Sequence, residues 1–313
     1  MLSKLKIKDL EKQGYRFVGK HSAIKVCLWC KKSLRNEDVC YKEAFYGIKS
    51  HRCVQMTPCF ICSQRCAFCW RDIDFTPTRF KGKIDEPKFI VDECIKQQRK
   101  YLQGFKGNEK INMKKFNEAM APNQFAISLS GEPTFYPKLD GLIKEIKKIG
   151  TAFLVTNGTN PNMLNKLIRN NAVPTQMYIT LPAPNEEIYN KICNPLKKDN
   201  WKNILKSLKL LNKFKRSTIR LTLVKNVNML NPEQYAELIN IAKPDFVECK
   251  AYVNVGYSKQ RLPIESMPRH EEIKEFAKKL SKLINYKIKD EKKESRVVLL
   301  QRNNPSIRAR IND

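Results

Sequence analysis

Cys62-Ser63-Gln64-Arg65-Cys66-Ala67-Phe68-Cys69-Trp70 carries three cysteines in a C-x3-C-x2-C spacing, and the reading of this stretch decides the fold. Thiolates are the ligands of iron–sulfur clusters and of structural zinc. A loop this short can set three of them around one cubane and leave one iron without a protein ligand. The alternative is zinc, for which Cys27-Leu28-Trp29-Cys30 and Cys59-Phe60-Ile61-Cys62 make a C-x2-C pair of pairs.

The 313 residues, 42% of them hydrophobic, can bury a large core and suit one α/β barrel with additions. Eleven cysteines behind an N-terminus with no apolar leader, Met1-Leu2-Ser3-Lys4-Leu5-Lys6, point to a reducing compartment where thiols serve metals or catalysis. No stretch is long and apolar enough to span a bilayer, so a cytoplasmic protein with no membrane partner is expected. Lys and Arg number 60 against 31 Asp and Glu, a formal net charge of +29 spread over the whole chain. That excess is the footprint of a polyanion, nucleic acid being the commonest; the alternative is a solvated lysine-rich surface.

Ahead of the first motif, Cys27, Cys40 and Cys53 fall at equal intervals with 12 residues between neighbours. Free cysteines are usually small buried hydrophobes. These sit among Lys, Asn, Asp and Arg, which points to a second metal site with three thiols.

From Gln124 short apolar strands alternate with amphipathic helices. The strands are Phe125 to Leu129, Ala152 to Val155, Gln176 to Thr180, Thr218 to Val224 and Asp245 to Glu248, and a first one is counted at residues 52–57. Helices are expected at Leu139 to Ile149, Met163 to Ile168, Trp201 to Phe214 and after Pro232. Six such units predict an α/β fold with a parallel sheet and outer helices. Residues 71–122 read as a basic stretch, with Arg71, Arg79, Lys81, Lys83 and Lys88 at its start. Val91 to Leu102 has helical spacing, and Phe105 and Phe116 stand among the lysines, either as stacking platforms for RNA bases or as core. Residues 268–313 hold a helix from Glu271 to Ile284, strand-like runs at Tyr286 to Ile288 and Val297 to Leu300, and an end carrying Arg302, Arg308 and Arg310 that is expected to be mobile or to face RNA.

A family resemblance joins these pieces. C-x12-C-x12-C, Cys40-Tyr41-Lys42, the run Tyr46-Gly47-Ile48-Lys49-Ser50-His51-Arg52-Cys53 and C-x3-C-x2-C followed by Trp70-Arg71 stand in order. Ser128-Leu129-Ser130-Gly131-Glu132-Pro133-Thr134, Thr156-Asn157-Gly158-Thr159, Glu248-Cys249-Lys250-Ala251-Tyr252 and Gly256-Tyr257-Ser258 follow. Together they resemble the archaeal-type tRNA 4-demethylwyosine synthases, which are radical S-adenosylmethionine (SAM) enzymes.

The resemblance implies a partial (β/α)6 barrel at 54–267 with a basic insertion at 71–122, an N-terminal extension at 1–53 and a basic C-terminal extension at 268–313. It implies two 4Fe–4S clusters. Cys62, Cys66 and Cys69 would hold the one whose open iron chelates SAM, and Cys27, Cys40 and Cys53 the other. Cys30 and Cys59 are extra thiols. Phe68, Ser130, Gly131, Glu132, Thr156, Asn157 and Thr180 fall at the SAM-binding positions, with Gly131 letting backbone approach the ligand and Glu132 pairing with its ammonium. Lys42 matches the proposed pyruvate-binding lysine. The implied reaction condenses N1-methylguanosine, next to the anticodon of tRNA-Phe, with a two-carbon unit of pyruvate. No flavodoxin-like domain is visible, so an external electron donor of flavodoxin or ferredoxin type is expected, and the protein is expected to be a monomer.

The charge generates a first test. Affinity for tRNA should fall steeply with salt, with a log–log slope of about −0.9 per neutralised phosphate on a duplex and about −0.7 on a single strand. A flat response in a binding titration would reduce the lysines to a solvated surface.

Overall fold

Ten strands form one sheet in the computed structural model, which describes residues 2–80, 82–303 and 307–311. Lys81 of the basic stretch and residues 304–306 and 312–313 of the C-terminal end lie outside the described residues. The strands are β1 (Arg16–Val18), β2 (Ser22–Ile24), β3 (Cys53–Thr57), β4 (Gln124–Ile127), β5 (Thr151–Thr156), β6 (Gln176–Thr180), β7 (Ser217–Leu223), β8 (Phe246–Ala251), β9 (Tyr286–Lys292) and β10 (Val297–Arg302). The helices are α1 (Lys4–Lys12), α2 (Leu28–Leu34), α3 (Tyr41–Tyr46), α4 (Pro87–Gln103), α5 (Met113–Ala119), α6 (Leu139–Ile149), α7 (Pro161–Arg169), α8 (Glu186–Cys193), α9 (Asn200–Leu210), α10 (Pro232–Ala242) and α11 (His270–Ile284). None is long and apolar enough to cross a membrane.

β3 to β8 run parallel in sequential order, as the six β/α units require. Antiparallel strands flank them, β2 and β1 beyond β3 and β10 and β9 beyond β8. Among the described residues nothing pairs β9 back to β1, so the barrel stays open. Helix starts follow local chemistry. Pro87, Pro161 and Pro232 open α4, α7 and α10, where a missing N–H costs nothing, and the Asn185 side chain accepts from Ile188 N at the start of α8. α6 buries Leu139, Leu142, Ile143 and Ile146 as one stripe against the sheet.

All three sequence segments feed this one sheet, because 1–53 supplies β1 and β2 and 268–313 supplies β9 and β10. The stretch 71–122 is not a simple insertion: it contains α4, the crossover helix from β3 to β4, packed on β1, β2, β3 and α6. Its lysines cover the outer face while Ile90, Val91, Cys94 and Leu102 are buried. Phe116 is buried with Leu34, Leu102 and Ile111, and Phe105 packs on that cluster; Phe116 is therefore core and no base platform. The C-terminal end is anchored where it is described. Arg216 donates from Nη1 and Nη2 to the carbonyls of Arg308 and Ala309, both at 2.7 Å, and Ile311 N donates to Tyr46 O at 3.0 Å.

That anchor lies below α3, which plugs the open barrel. Tyr46 of α3 meets the rings of Phe153, Tyr178 and Phe246, contributed by three different strands. Its hydroxyl donates to Glu248 Oε1 at 2.8 Å, while Arg220 Nε donates to Glu248 Oε2 at 2.9 Å. Gly47, in the left-handed region at φ 76°, ends the plug. Tyr46→Phe removes one of the two donors to a fully buried carboxylate. It should cost about 1–3 kcal/mol, read as a lower thermal midpoint; an unchanged midpoint would show that the hydroxyl does not hold α3 in place.

Candidate active site

The plug and the strand ends enclose a cavity of about 640 Å³. Cys27, Cys40 and Cys53 line it at the starts of α2, α3 and β3, together with Lys42, Phe68, Cys69, Trp70 and Thr180. Cys27 Sγ accepts from Cys30 N at 3.3 Å, and Cys40 N donates to Ser50 Oγ at 2.9 Å. Burial and the neighbouring Cys27 push the Cys40 thiol up to about 11, and burial with Cys27 and Cys40 raises Cys53 too. These three thiols are thus near one another, and metal binding there must release protons.

The loop of the first motif has no regular structure and is docked by long-range bonds. Arg65 N and Ala67 N donate to the carbonyls of Cys193 and Ile192, each at 2.8 Å, and Asn200 Nδ2 donates to Ser63 O at 3.1 Å. Arg261 reaches Ala67 O at 3.2 Å and also holds Cys69 O. Of the three thiols only Cys69 lines the large cavity; Cys66 is buried against Gln64 and Cys193, and Cys62 accepts from Asn157 Nδ2 at 3.8 Å. Cys62 is in turn close enough to Cys66 and Cys69 for their charges to raise it, after burial. The set fits a cubane, whose irons take separate ligands. The zinc alternative is not assembled. The Cys30 thiol donates to His51 O and the Cys59 thiol to Glu132 O, and among the described residues no three His, Cys, Asp or Glu converge on one ion.

The strand-end motifs bear on the loop more than on the cavity. Glu132 is 2% exposed and its carboxylate is held from within the fold: Thr134 N, Thr134 Oγ1 and Thr156 Oγ1 donate to Oε1, and Asn157 N donates to Oε2 at 2.7 Å. It clamps the loop after β4 to the end of β5, with Oε2 accepting only from Asn157 N. Gly131 has φ +65°, and the backbone it approaches is the Cys59–Ile61 run; a Cβ there would lie 2.4 Å from Cys59 O. Ser130 is buried, and its carbonyl accepts from Thr57. Phe68 and Thr180 do face the cavity.

Sequence reasoning missed Arg220 and gave Lys250 no role. Among the described residues four cations line the cavity, Lys42, Arg71, Arg220 and Lys250, and no acidic side chain does. Among the described residues Lys42 Nζ makes no hydrogen bond or ion pair. It lies 5.1 Å from the Tyr178 ring centroid and 5.3 Å from that of Phe153. Burial, then the charge of Arg220, holds its amine below the usual lysine range. Burial also pushes Lys250 down to about 8, and its Nζ donates to Ser295 O at 2.6 Å. A charged residue inside the apolar run Thr218-Ile219-Arg220-Leu221 was the available signal, since strand alternation turns it inward.

The S-adenosyl-L-methionine-dependent tRNA 4-demethylwyosine synthase of Pyrococcus abyssi is 50% identical over 296 residues, 93% of this chain and 86% of that protein. The enzyme of the same name from Methanocaldococcus jannaschii is 41% identical over 312 residues, 97% and 98% of the two chains. The chain belongs to the radical SAM 4-demethylwyosine synthase family. A solved structure described as TYW1 with a lysine-pyruvate adduct bound superimposes with a TM-score of 0.90 at 38% identity, covering 99% of this chain and 100% of that one. The family model for the radical SAM superfamily matches residues 56–239, and the one for wyosine base formation matches 241–302. In this synthase fold the second region is β8 with Glu248 and Lys250, then α11, β9 and β10.

Gly131→Ala tests the seating of the motif loop. Overlap with its backbone plus a positive φ should cost about 2–4 kcal/mol and lower the denaturation midpoint accordingly. A wild-type midpoint would show that the loop has room to move away.

Proposed function

We propose that the chain is a tRNA 4-demethylwyosine synthase that uses this cavity to join N1-methylguanosine of tRNA-Phe to a two-carbon unit of pyruvate. The observation that carries the reading is Lys42, an amine buried between two rings, unpaired among the described residues and set beside Cys27, Cys40 and Cys53. A solved family member holds a lysine-pyruvate adduct. Only a neutral amine attacks a carbonyl, and burial favours that form. Lys42 therefore holds pyruvate as an imine.

Cys62, Cys66 and Cys69 would ligate the SAM-binding 4Fe–4S cluster, and Cys27, Cys40 and Cys53 a second one. Bound at the first site, cluster and SAM supply a 5′-deoxyadenosyl radical. Phe68 and Thr180 stand on the cavity wall where SAM would lie between the two thiol sets, and Asn157 holds Cys62 in place. Ser130, Gly131, Glu132 and Thr156, at the ends of β4 and β5, would complete the SAM site. Reducing equivalents come from an external flavodoxin or ferredoxin, and the protein works as a monomer.

The test is mass analysis of tRNA-Phe after anaerobic incubation with SAM, pyruvate and dithionite. Wild-type protein should convert N1-methylguanosine to 4-demethylwyosine. Alanine at Cys62, Cys66 or Cys69 should abolish 5′-deoxyadenosine formation, and Lys42→Ala should abolish ring closure while SAM cleavage persists. Cys30→Ala should keep wild-type iron content. Full ring-forming activity in Lys42→Ala would end the imine reading.

A further inference from the structure

Binding iron turns a cysteine from a donor into an acceptor, and the groups around Cys66 are of a kind that can answer that change. With its proton on, Cys66 Sγ donates to Gln64 Oε1 at 3.3 Å, and Gln64 Nε2 donates to Tyr189 OH at 2.8 Å. All three side chains are buried. An iron-bound thiolate has lost the proton and only accepts. An amide oxygen left facing it would set lone pairs against negative charge where little water screens the repulsion.

A carboxamide has nearly the same shape end for end, and half a turn about its last bond puts Nε2 where Oε1 stood. The Tyr189 hydroxyl, which accepts from Nε2 in the first setting, donates to Oε1 in the second. Each of the three groups therefore keeps a partner with and without iron. A fixed acceptor in place of the hydroxyl, such as a backbone carbonyl, would prevent this. The surrounding frame is pinned: the Gln64 backbone bridges to Pro195, Leu196 N donates to Ser63 O at 2.9 Å, and the Tyr189 ring centroid lies 5.3 Å from that of Trp201. The Cys193 thiol also neighbours Cys66, but an S–H is a weak donor.

We propose that Gln64 tunes the SAM-cleaving cluster: with iron on Cys66, Gln64 Nε2 donates to Cys66 Sγ while Tyr189 donates to Oε1, and the bond to sulfur raises the cluster's reduction potential. Hydrogen bonds to the ligating sulfurs are among the factors that set such potentials. An N–H at this point offsets part of the thiolate charge and so favours the reduced form, which carries one more electron. The effect makes the cluster easier for an external donor to reduce. The proposal rests on the reading that Cys62, Cys66 and Cys69 hold this cluster. Gln64 acts through Cys66, as a positioning residue.

The test uses the full chain, reconstituted anaerobically, and reads the electron paramagnetic resonance signal that added SAM perturbs. A potentiometric titration gives the potential of that signal, and pulsed measurements give the couplings of exchangeable protons to the reduced cluster. Two variants are compared with wild type, Gln64→Met, which keeps the length and removes the donor, and Gln64→Met with Tyr189→Phe, which removes both buried partners so that neither is left unpaired. Both should keep wild-type iron content and the SAM-perturbed signal, and both should lack one exchangeable-proton coupling present in the wild-type protein. Their potentials should be more negative by a shift worth about tenfold in the reduction equilibrium, about 59 mV for one electron. A wild-type potential, or the full set of couplings, in a variant with native iron content overturns the proposal. Loss of iron from both variants overturns it too, because Gln64 would then only seat the loop. Absence of any SAM-perturbed signal in the wild-type protein removes the underlying reading of the three cysteines and the proposal with it. The double variant decides the matter if the single one does not fold.

Discussion

A single buried carboxylate, Glu248, ties together the parts that line the cavity. It stands on β8 inside the barrel, and its two oxygens are taken by donors from different places in the chain, Tyr46 of the plug and Arg220 of β7. Breaking a buried ion pair by removing one partner costs about 3–5 kcal/mol, so this arrangement tolerates few alternatives. Its geometry spreads outward. Tyr46 sets the plug, the plug carries Cys40, Tyr41 and Lys42 on consecutive positions, and Tyr41 closes the ring by accepting from Arg220. The rings of Phe153, Tyr178 and Phe246 beneath it exclude water, which strengthens each of these bonds.

The loop of the first motif is placed by the opposite strategy. It has no helix or strand of its own and borrows order from α8, from Asn200 and from Arg261. Glu132 is another buried carboxylate, and it performs for this loop what Glu248 performs for the plug. By joining the Ser130–Thr134 turn to the end of β5 it forms a rigid shelf, and Gly131 on that shelf meets the Cys59–Ile61 backbone at a distance no side chain would allow. The shelf fixes the start of the loop, and α8 its middle. Two buried carboxylates, each bonded by donors from separate elements, therefore hold the two thiol-bearing regions against one cavity.

Sequence alone determined the barrel and singled out the two cysteine triplets. Apolar strands and amphipathic helices repeat with their own periods, so the parallel strands β3 to β8 could be read locally, and cysteine spacing carries its meaning within a few residues. The resemblance reached Lys42 for the same reason, because its short motifs are contiguous. Tertiary structure decided the rest, where a residue's role depends on partners distant in the chain. That Glu132 also ties the loop after β4 to β5 became visible only through Thr156 and Asn157, 24 and 25 residues on, which donate to its oxygens. Phe116 stood open between stacking platform and core until Leu34 and Leu102 enclosed it, and the arginine-rich end, open between mobile and RNA-facing, is anchored by Arg216 and Tyr46. Arg220 was one charge in an apolar strand, a local sign that it faces inward but not of what it meets there. Only the barrel brings Tyr41, 179 residues away, and Glu248 against two of its nitrogens on the cavity wall. Periodicity and spacing are properties of neighbours along the chain, whereas charge pairing and burial are properties of neighbours in space.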